Sequence, residues 1–416
     1  MMSRLARARI LRAARALVGV GLLAAVVLAP SCAPKRSPTC VTPDVISHTG
    51  ELRDARVLLA EGVAGARLAI AASYTIEPWG RRMRGTPPVL AQCPPLAGGQ
   101  VRATATAIIV GDRHFPDDAL LLRIQGAAAL TLDGRRYRGS LALRRAEGGG
   151  LDLINVLPVE DYLYGVLGGE TYPAWPAAAL EAQAIVARSY TLWRMAQRRE
   201  GHFDLYATVM DQHYPGMAKE DPRLRAAVDR TAGVVLLYQF RLFRCYYHST
   251  CGGHTECVQD VFPDPPLLPL SAVPCGYCKD SKHYSWQRVM PRRELADALV
   301  KAGRGVGELV AVSVSARTSS GRAREIAIEG AGGRRTVMPA ADFRLAVGPA
   351  KLPSVFFDIR RIPDGFEFSG RGFGHGVGMC QWGARGMAEA GLGAAEILRR
   401  YYPGAQLIRL YPRREG

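Results

Sequence analysis

The chain has 416 residues, 48% of them apolar and 22% charged, the balance of a globular protein with material for two or three domains. Lys and Arg number 54 against 37 Asp and Glu, a net charge of +17. These positive charges stand as single arginines and short pairs. The absence of a helix-turn-helix pattern, an RNA-binding aromatic motif or a long basic block argues against nucleic acid as a partner.

Residues 1–31 hold Arg4, Arg7, Arg9, Arg12 and Arg15, no acid, and an apolar run over 16–29. A basic start, a short apolar run and small residues before a break predict a secretory signal. Leu28-Ala-Pro-Ser-Cys32 resembles an imperfect lipobox, so lipidation of Cys32, plain cleavage nearby and an uncleaved anchor all fit. Loss of the five arginines lowers the net charge from +17 to +12. An exported basic chain has the anionic polymers of the periplasm or cell envelope as its acidic partners. No later apolar run approaches the roughly 20 residues of a membrane span.

Residues 32–50 read as a tether. Over 51–150, short apolar runs alternate with turns, a β-rich region suited to binding or packing and without catalytic side chains. Asp133-Gly134 is its clearest hairpin signal. Cys40 and Cys93 form a candidate disulfide in an oxidising compartment.

Leu157-Pro-Val-Glu-Asp-Tyr-Leu-Tyr-Gly-Val predicts a short helix. It leads into Gly168-Gly-Glu-Thr-Tyr-Pro-Ala-Trp-Pro176, read as a bent loop carrying one carboxylate, Glu170. Pro176 suits the first turn of a second helix reaching about Arg199. Leu180, Ala184, Ala187 and Thr191 share one stripe of that helix, and Glu181 and Arg188 another face. A lone Glu between Gly-Gly and an aromatic turn is a candidate general acid with a raised pKa. An ordinary loop carboxylate ahead of a buried helix satisfies the same residues.

A predicted strand from Tyr206 ends in Asp211, Gln212, His213 and Tyr214, a cluster that suits either a glycan or an ordinary turn. Residues 234–238 and 243–248 read as a hairpin-like pair. Cys245, Cys251, Cys257, Cys275 and Cys278 follow, interleaved with His248, His254 and His283. Three arrangements satisfy them. One is a closed structural zinc site from Cys275, Cys278, His254 and either Cys251 or Cys257. The second is disulfides. The third is a catalytic zinc of nucleobase-deaminase type, built on His254-Thr-Glu256 and Pro274-Cys-Gly-Tyr-Cys278. The Pro-rich run 262–269 is hostile to the helices that chemistry uses, and an extra Cys would fill its open coordination position.

Residues 288–363 read as a small α/β insertion, with strands over 309–314 and 323–329. The second dense stretch is Phe368-Ser-Gly-Arg-Gly-Phe-Gly-His-Gly-Val-Gly-Met-Cys-Gln-Trp-Gly-Ala. Its alternating glycines permit positive φ and close approach around His375. His375, Gln381 and Trp382 would line a polar groove with an aromatic floor, or mark a tight turn into the next helix. A phosphate loop lacks its βαβ setting and downstream acid.

Several motifs together resemble the SpoIID/LytB family. They are Leu157-Pro-Val-Glu-Asp-Tyr-Leu-Tyr-Gly-Val, Gly169-Glu-Thr-Tyr-Pro-Ala-Trp-Pro, Ala179-Leu-Glu-Ala-Gln-Ala-Ile-Val-Ala-Arg-Ser-Tyr, Tyr247-His-Ser-Thr-Cys-Gly-Gly-His-Thr and Gly370-Arg-Gly-Phe-Gly-His-Gly-Val-Gly-Met-Cys-Gln-Trp-Gly-Ala. The resemblance, which runs from about Arg135 to Pro403, implies a mixed core split over 151–287 and 364–416; with the β-rich region over 51–150 and the α/β insertion over 288–363 read from the residues, the expected fold is α+β. It implies a peptidoglycan lytic transglycosylase or an amidase enhancer that binds glycan without cutting it. Glu170 becomes the catalytic acid and Arg188 its partner or a substrate ligand. Gln212, Tyr214, His248, His375 and Gln381 become groove residues. Zinc is associated with the His/Cys segment, here His254, Cys251, Cys257, Cys275 and Cys278, in a structural role that catalysis does not require. Glycan strands and an amidase are the implied partners. The chain departs from many members at Cys251 and Cys380, where Ser is common.

Overall fold

The computed structural model describes residues 54–80 and 87–412. The expected signal and tether, with Cys32 and Cys40, lie outside them. Strands and helices mix in several sheets, an α+β fold as the sequence predicts.

Two sheets form the N-terminal part. One orders its strands 205–206, 55–63, 151–157, 140–145, 119–124, 74–78, 91–93; the other runs 135–137, 130–132, 65–70, 96–103, 108–110, 113–115. All pairings are antiparallel except that of 205–206 with 55–63. Leu120 and Leu122 face the core between the sheets, while Leu121 joins Leu58, Ala142 and Ile154 on the opposite face. A strand covered on both faces has no polar alternation, which is why residues 119–122 read as a continuous apolar run before the exposed Arg123. The Asp133-Gly134 hairpin forms as predicted, with φ of 47° and 81° at the two turn residues.

Seven helices follow among the described residues. They are α1 (Val159–Glu170), α2 (Ala177–Gln197), α3 (Pro222–Arg230), α4 (Arg292–Lys301), α5 (Ala340–Val347), α6 (Gln381–Glu389) and α7 (Ala394–Tyr401). Pro176 caps α2 from outside with ψ of 145°, rather than occupying its first turn. The single apolar stripe expected on α2 is also too narrow. Every residue from 182 to 192 is buried, because α2 lies between two cores. Its alanines let neighbours approach from all sides.

The first core joins both N-terminal sheets to α1 and α2. The second gathers α6, α7 and strand 234–238 against the other side of α2. The third lies wholly within residues 286–368, between α4, α5 and the sheets 285–291/365–371/357–362 and 309–317/323–330/335–339.

One pairing decides where the site forms. Strand 234–238 pairs with 406–409 on one edge and turns back at Gln239 and Phe240 to pair with the short 241–242 on the other. Residues 247–248 leave that hairpin and pair in parallel with 379–380, Tyr247 opposite Met379 and His248 opposite Cys380. The expected hairpin partner is thus replaced by the Gly-rich stretch from far along the chain.

Candidate functional site

Gly168, Gly169 and Glu170 form the last turn of α1, not a bent loop. The glycines serve close packing. A Cβ on Gly168 would stand 2.2 Å from the Lys219 carbonyl oxygen, and one on Gly169 2.3 Å from that of His213. This approach lets the His213 backbone N–H donate to Glu170 Oε1 at 2.8 Å. The loop 171–176 then carries Tyr172 and Trp175 before α2 begins.

The half-buried Glu170 carboxyl has a raised pKa, chiefly because burial penalises its charge; the donors His213 N–H and Tyr247 hydroxyl only partly offset this. Its position at a helix C-terminus, where the dipole is negative, disfavours ionisation further. Tyr247 in turn accepts a hydrogen bond from Gln212 Nε2 at 3.3 Å. Gln212 is fully buried, and its Oε1 accepts from Thr191 at 2.9 Å and Tyr162 at 3.4 Å. It therefore orients Tyr247 from behind and does not face a groove.

Gln381, the first residue of α6, donates from Nε2 to the Glu170 carbonyl at 3.1 Å and to Gln183 Oε1 at 3.3 Å. It satisfies one of the carbonyls that a helix end leaves open. Beside it, the Trp382 ring meets Trp175 at 5.6 Å, and Trp175 meets Tyr172 at 5.5 Å. Tyr172 is 59% exposed. These three rings form an aromatic rim built from the residues next to Glu170 and Gln381.

The glycine prediction holds for the loop: Gly372, Gly374, Gly376 and Gly378 all have positive φ. Within it, His375 Nε2–H donates to the Tyr247 carbonyl at 2.9 Å, and Nδ1 accepts from Val377 N–H at 3.1 Å. Both ring nitrogens are thereby occupied, and burial pushes the pKa down to about 4, so the ring is neutral. His248 Nδ1 donates to the Val377 carbonyl at 3.1 Å. Its buried Nε2 has no hydrogen-bond partner, and burial lowers its pKa well below that of free imidazole. Both histidines fasten the Gly-rich loop to the strand of Tyr247, a positioning role rather than the groove role expected.

Two expected site residues belong to the interior. Arg188 is fully buried in a two-pronged pair with Glu160, at 2.9 and 2.7 Å, and donates to the Val228 and Val234 carbonyls. Gly233 N–H and Tyr411 hydroxyl complete the Glu160 shell. Arg188 therefore braces α2 against α1 and does not orient Glu170. Tyr214 is 4% exposed, packs on Tyr162 at 4.9 Å and donates to Asn155 at 2.9 Å, which makes it a core residue.

The cysteine sulfurs also regroup. The Sγ atoms of Cys251, Cys275, Cys278 and Cys380 lie within 4.8 Å of one another and are buried. His254 is outside this set, with Nδ1 against the Thr255 carbonyl at 2.8 Å. Cys257 is outside it too, its sulfur accepting from Ala272 N–H at 3.3 Å. Glu256, the acid a deaminase would need, is buried and held by Thr318 and Ser320 at 2.5 Å each.

Sequence reasoning missed Tyr247 and Cys380. Tyr247 opens a motif in which the neighbouring His248 drew the functional reading. Cys380 stands about a hundred residues from Cys278, and only the parallel strand pairing brings them together.

Comparison with known proteins places the chain. The family model described as Stage II sporulation protein matches residues 147–238, which hold α1, Glu170, α2 and Gln212. A domain of unknown function matches 275–378. An uncharacterized protein of Brachyspira hyodysenteriae is 34% identical over 280 residues, 67% of this chain and 74% of the relative. The amidase enhancer of Bacillus subtilis is 26% identical over 326 residues, 67% of this chain and 45% of the relative. Stage II sporulation protein D of Bacillus amyloliquefaciens is 27% identical over 270 residues, 60% and 74% of the two chains. The α+β core around one carboxylate is thus a sporulation-protein-D-type core. The chain belongs to the SpoIID/LytB family.

Proposed function

We propose that the protein is a cell-wall enzyme, a lytic transglycosylase that cleaves peptidoglycan glycan strands with Glu170 as general acid and then base. The observation that carries the reading is the half-buried Glu170 carboxyl, raised in pKa and held by one backbone N–H and the Tyr247 hydroxyl beside an aromatic rim.

A protonated Glu170 gives its proton to the glycosidic oxygen as the bond to the anomeric carbon breaks. The resulting carboxylate takes the proton of the muramic C6 hydroxyl as that oxygen attacks the same carbon, which yields a 1,6-anhydro end. Ordinary glycoside hydrolysis uses a second carboxylate to handle water or form a covalent intermediate. Here Asp211, two residues before His213, is engaged elsewhere, paired with Arg194 and Arg198. Attack by the substrate's own hydroxyl removes the need for a second acid.

Stacking of sugar rings on Tyr172, Trp175 and Trp382 supplies the binding surface. Trp382→Ala should weaken retention on purified glycan strands by roughly fivefold, about 1 kcal/mol for one aromatic platform. Unchanged retention would move the binding surface elsewhere.

The acid must start protonated, so activity falls as pH rises through the raised pKa of Glu170. Tyr247→Phe removes a donor that favours the carboxylate. Its alkaline limb should therefore shift to higher pH, read from initial rates across pH. A shift to lower pH would contradict the proposed Tyr247–Glu170 contact.

Likeness to an amidase enhancer favours a second reading, glycan binding without cleavage beside an amidase partner. Mass spectrometry of soluble products from intact and amidase-treated peptidoglycan separates the two. Anhydro products support the enzyme, and retained glycan binding without products supports the binder. Either role places the chain in the cell envelope. Among the described residues no helix is long and apolar enough to cross a membrane, so the N-terminal signal or a lipid on Cys32 would supply any anchor.

A further inference from the structure

We propose that Cys251, Cys275, Cys278 and Cys380 bind one zinc ion as a closed tetrahedral S4 site that locks the two halves of the catalytic centre together.

The geometry is that of a metal cage. Cys251 Sγ and Cys278 Sγ are 3.6 Å apart. Four thiolates at zinc bond lengths of about 2.3 Å stand roughly 3.8 Å from one another on a tetrahedron, whereas bonded sulfurs stand about 2.05 Å apart. All six pairs fall within 4.8 Å, so the four sulfurs converge on one point. None of the four residues is more than 3% exposed. Four buried sulfurs facing one another form a donor set for a soft or borderline cation and leave no room for a water ligand.

The surroundings suit thiolates. Cys380 Sγ accepts the backbone N–H of Cys251 at 3.2 Å and of Gly383 at 3.3 Å. Cys275 Sγ faces the Tyr401 hydroxyl at 3.0 Å. Such donors around sulfur orient the ligands of a metal centre and disperse their charge. A ZnS4 unit carries two negative charges. The 2%-exposed Arg322 lies beside it, donating to the Cys251 carbonyl at 2.8 Å and the His254 carbonyl at 2.7 Å. Gly383 completes the fit, since a Cβ there would lie 1.9 Å from the Tyr401 hydroxyl and 2.7 Å from Cys275 Sγ.

The ligands come from three separate segments. Cys251 follows the strand bearing Tyr247 and His248, Cys275 and Cys278 flank a two-residue knuckle at the entry to the 285–371 region, and Cys380 caps α6 one residue before Gln381. One ion would therefore tie the strand that supports the Glu170 carboxyl to the residue that holds its helix end. With no open coordination position the ion is structural, and catalytic water activation at it is excluded.

The test is metal analysis of the full chain. Purified protein should hold one zinc per chain by elemental mass spectrometry. The cobalt(II)-substituted form should show intense thiolate-to-cobalt charge transfer and tetrahedral visible bands. Cys278→Ser and Cys380→Ser should lose the metal, while His254→Ala and Cys257→Ser keep it. Should the first pair fail to fold, the cobalt spectrum of the wild type and the metal content of the second pair still decide. A disulfide between any two of the four cysteines, bound iron in place of zinc, metal-free folded protein after purification in zinc, or loss of metal from His254→Ala or Cys257→Ser would overturn the proposal. None of these readouts depends on cleavage of glycan.

Discussion

Glu170→Gln is expected to lower the release of 1,6-anhydro products from glycan strands by about 10²–10⁴-fold, the range supplied by a positioned general acid. Glutamine keeps the shape and the oxygen that accepts from His213 N–H, so glycan retention should persist while chemistry stops. The variant should also be folded. A carboxyl whose folded pKa lies above its ordinary 4.5 contributes stability that is complete below that value and lost as pH rises through the folded pKa. At neutral pH the wild type therefore bears a burial cost that glutamine lacks. Urea unfolding should show the variant at least as stable as the wild type at pH 7, with its relative advantage shrinking as pH falls through the raised pKa of Glu170 towards 4.5 and constant below it. Anhydro products at wild-type rates would end the proposed role of Glu170.

The second large effect is on stability. Arg188→Ala leaves Glu160 buried without its cation and breaks six hydrogen bonds in the packed interior. Removing one partner of a buried pair costs about 3–5 kcal/mol, and urea unfolding should show a loss of that size. Conditions that keep the variant folded should restore most of its glycan cleavage. An Arg188 that instead oriented the acid would give the opposite pattern, near-normal stability with lost activity.

The setting of Glu170 is legible because its signal is local. Glycines, an aromatic turn and prolines stand within a few residues of it, and those residues do create its setting, although the glycines act by close packing inside a helix. Arg188 was misread because its partner is 28 positions upstream on another helix. Spacing along α2 pairs it with Glu181, which in fact bonds Arg230. Tyr214 was drawn in by its polar neighbours, yet alternation turns it inward while His213 presents its backbone to Glu170. His254 and Cys257 stand nearer the Cys275-x-x-Cys278 knuckle in sequence than Cys380 does, yet it is Cys380 whose sulfur meets those of the knuckle. Parallel pairing of two short strands leaves no periodic trace in either segment. Even so, the departures from serine at Cys251 and Cys380, noted separately, fall on two residues that meet.

The pairing of Ser285 with Arg371 has a consequence for how the protein folds. His375 and Tyr247 are 128 positions apart, a long loop to close before any site contact repays the lost chain entropy. The region between Ser285 and Arg371 has its own core and brings its two ends together. Once it has formed, most of that loop no longer counts as free chain. Shortening a closure about threefold saves roughly 1 kcal/mol and makes a distant contact nearly local. What looks from sequence like an interruption of the core works as a splint, presenting the Gly-rich loop to its partner strand before the two have met.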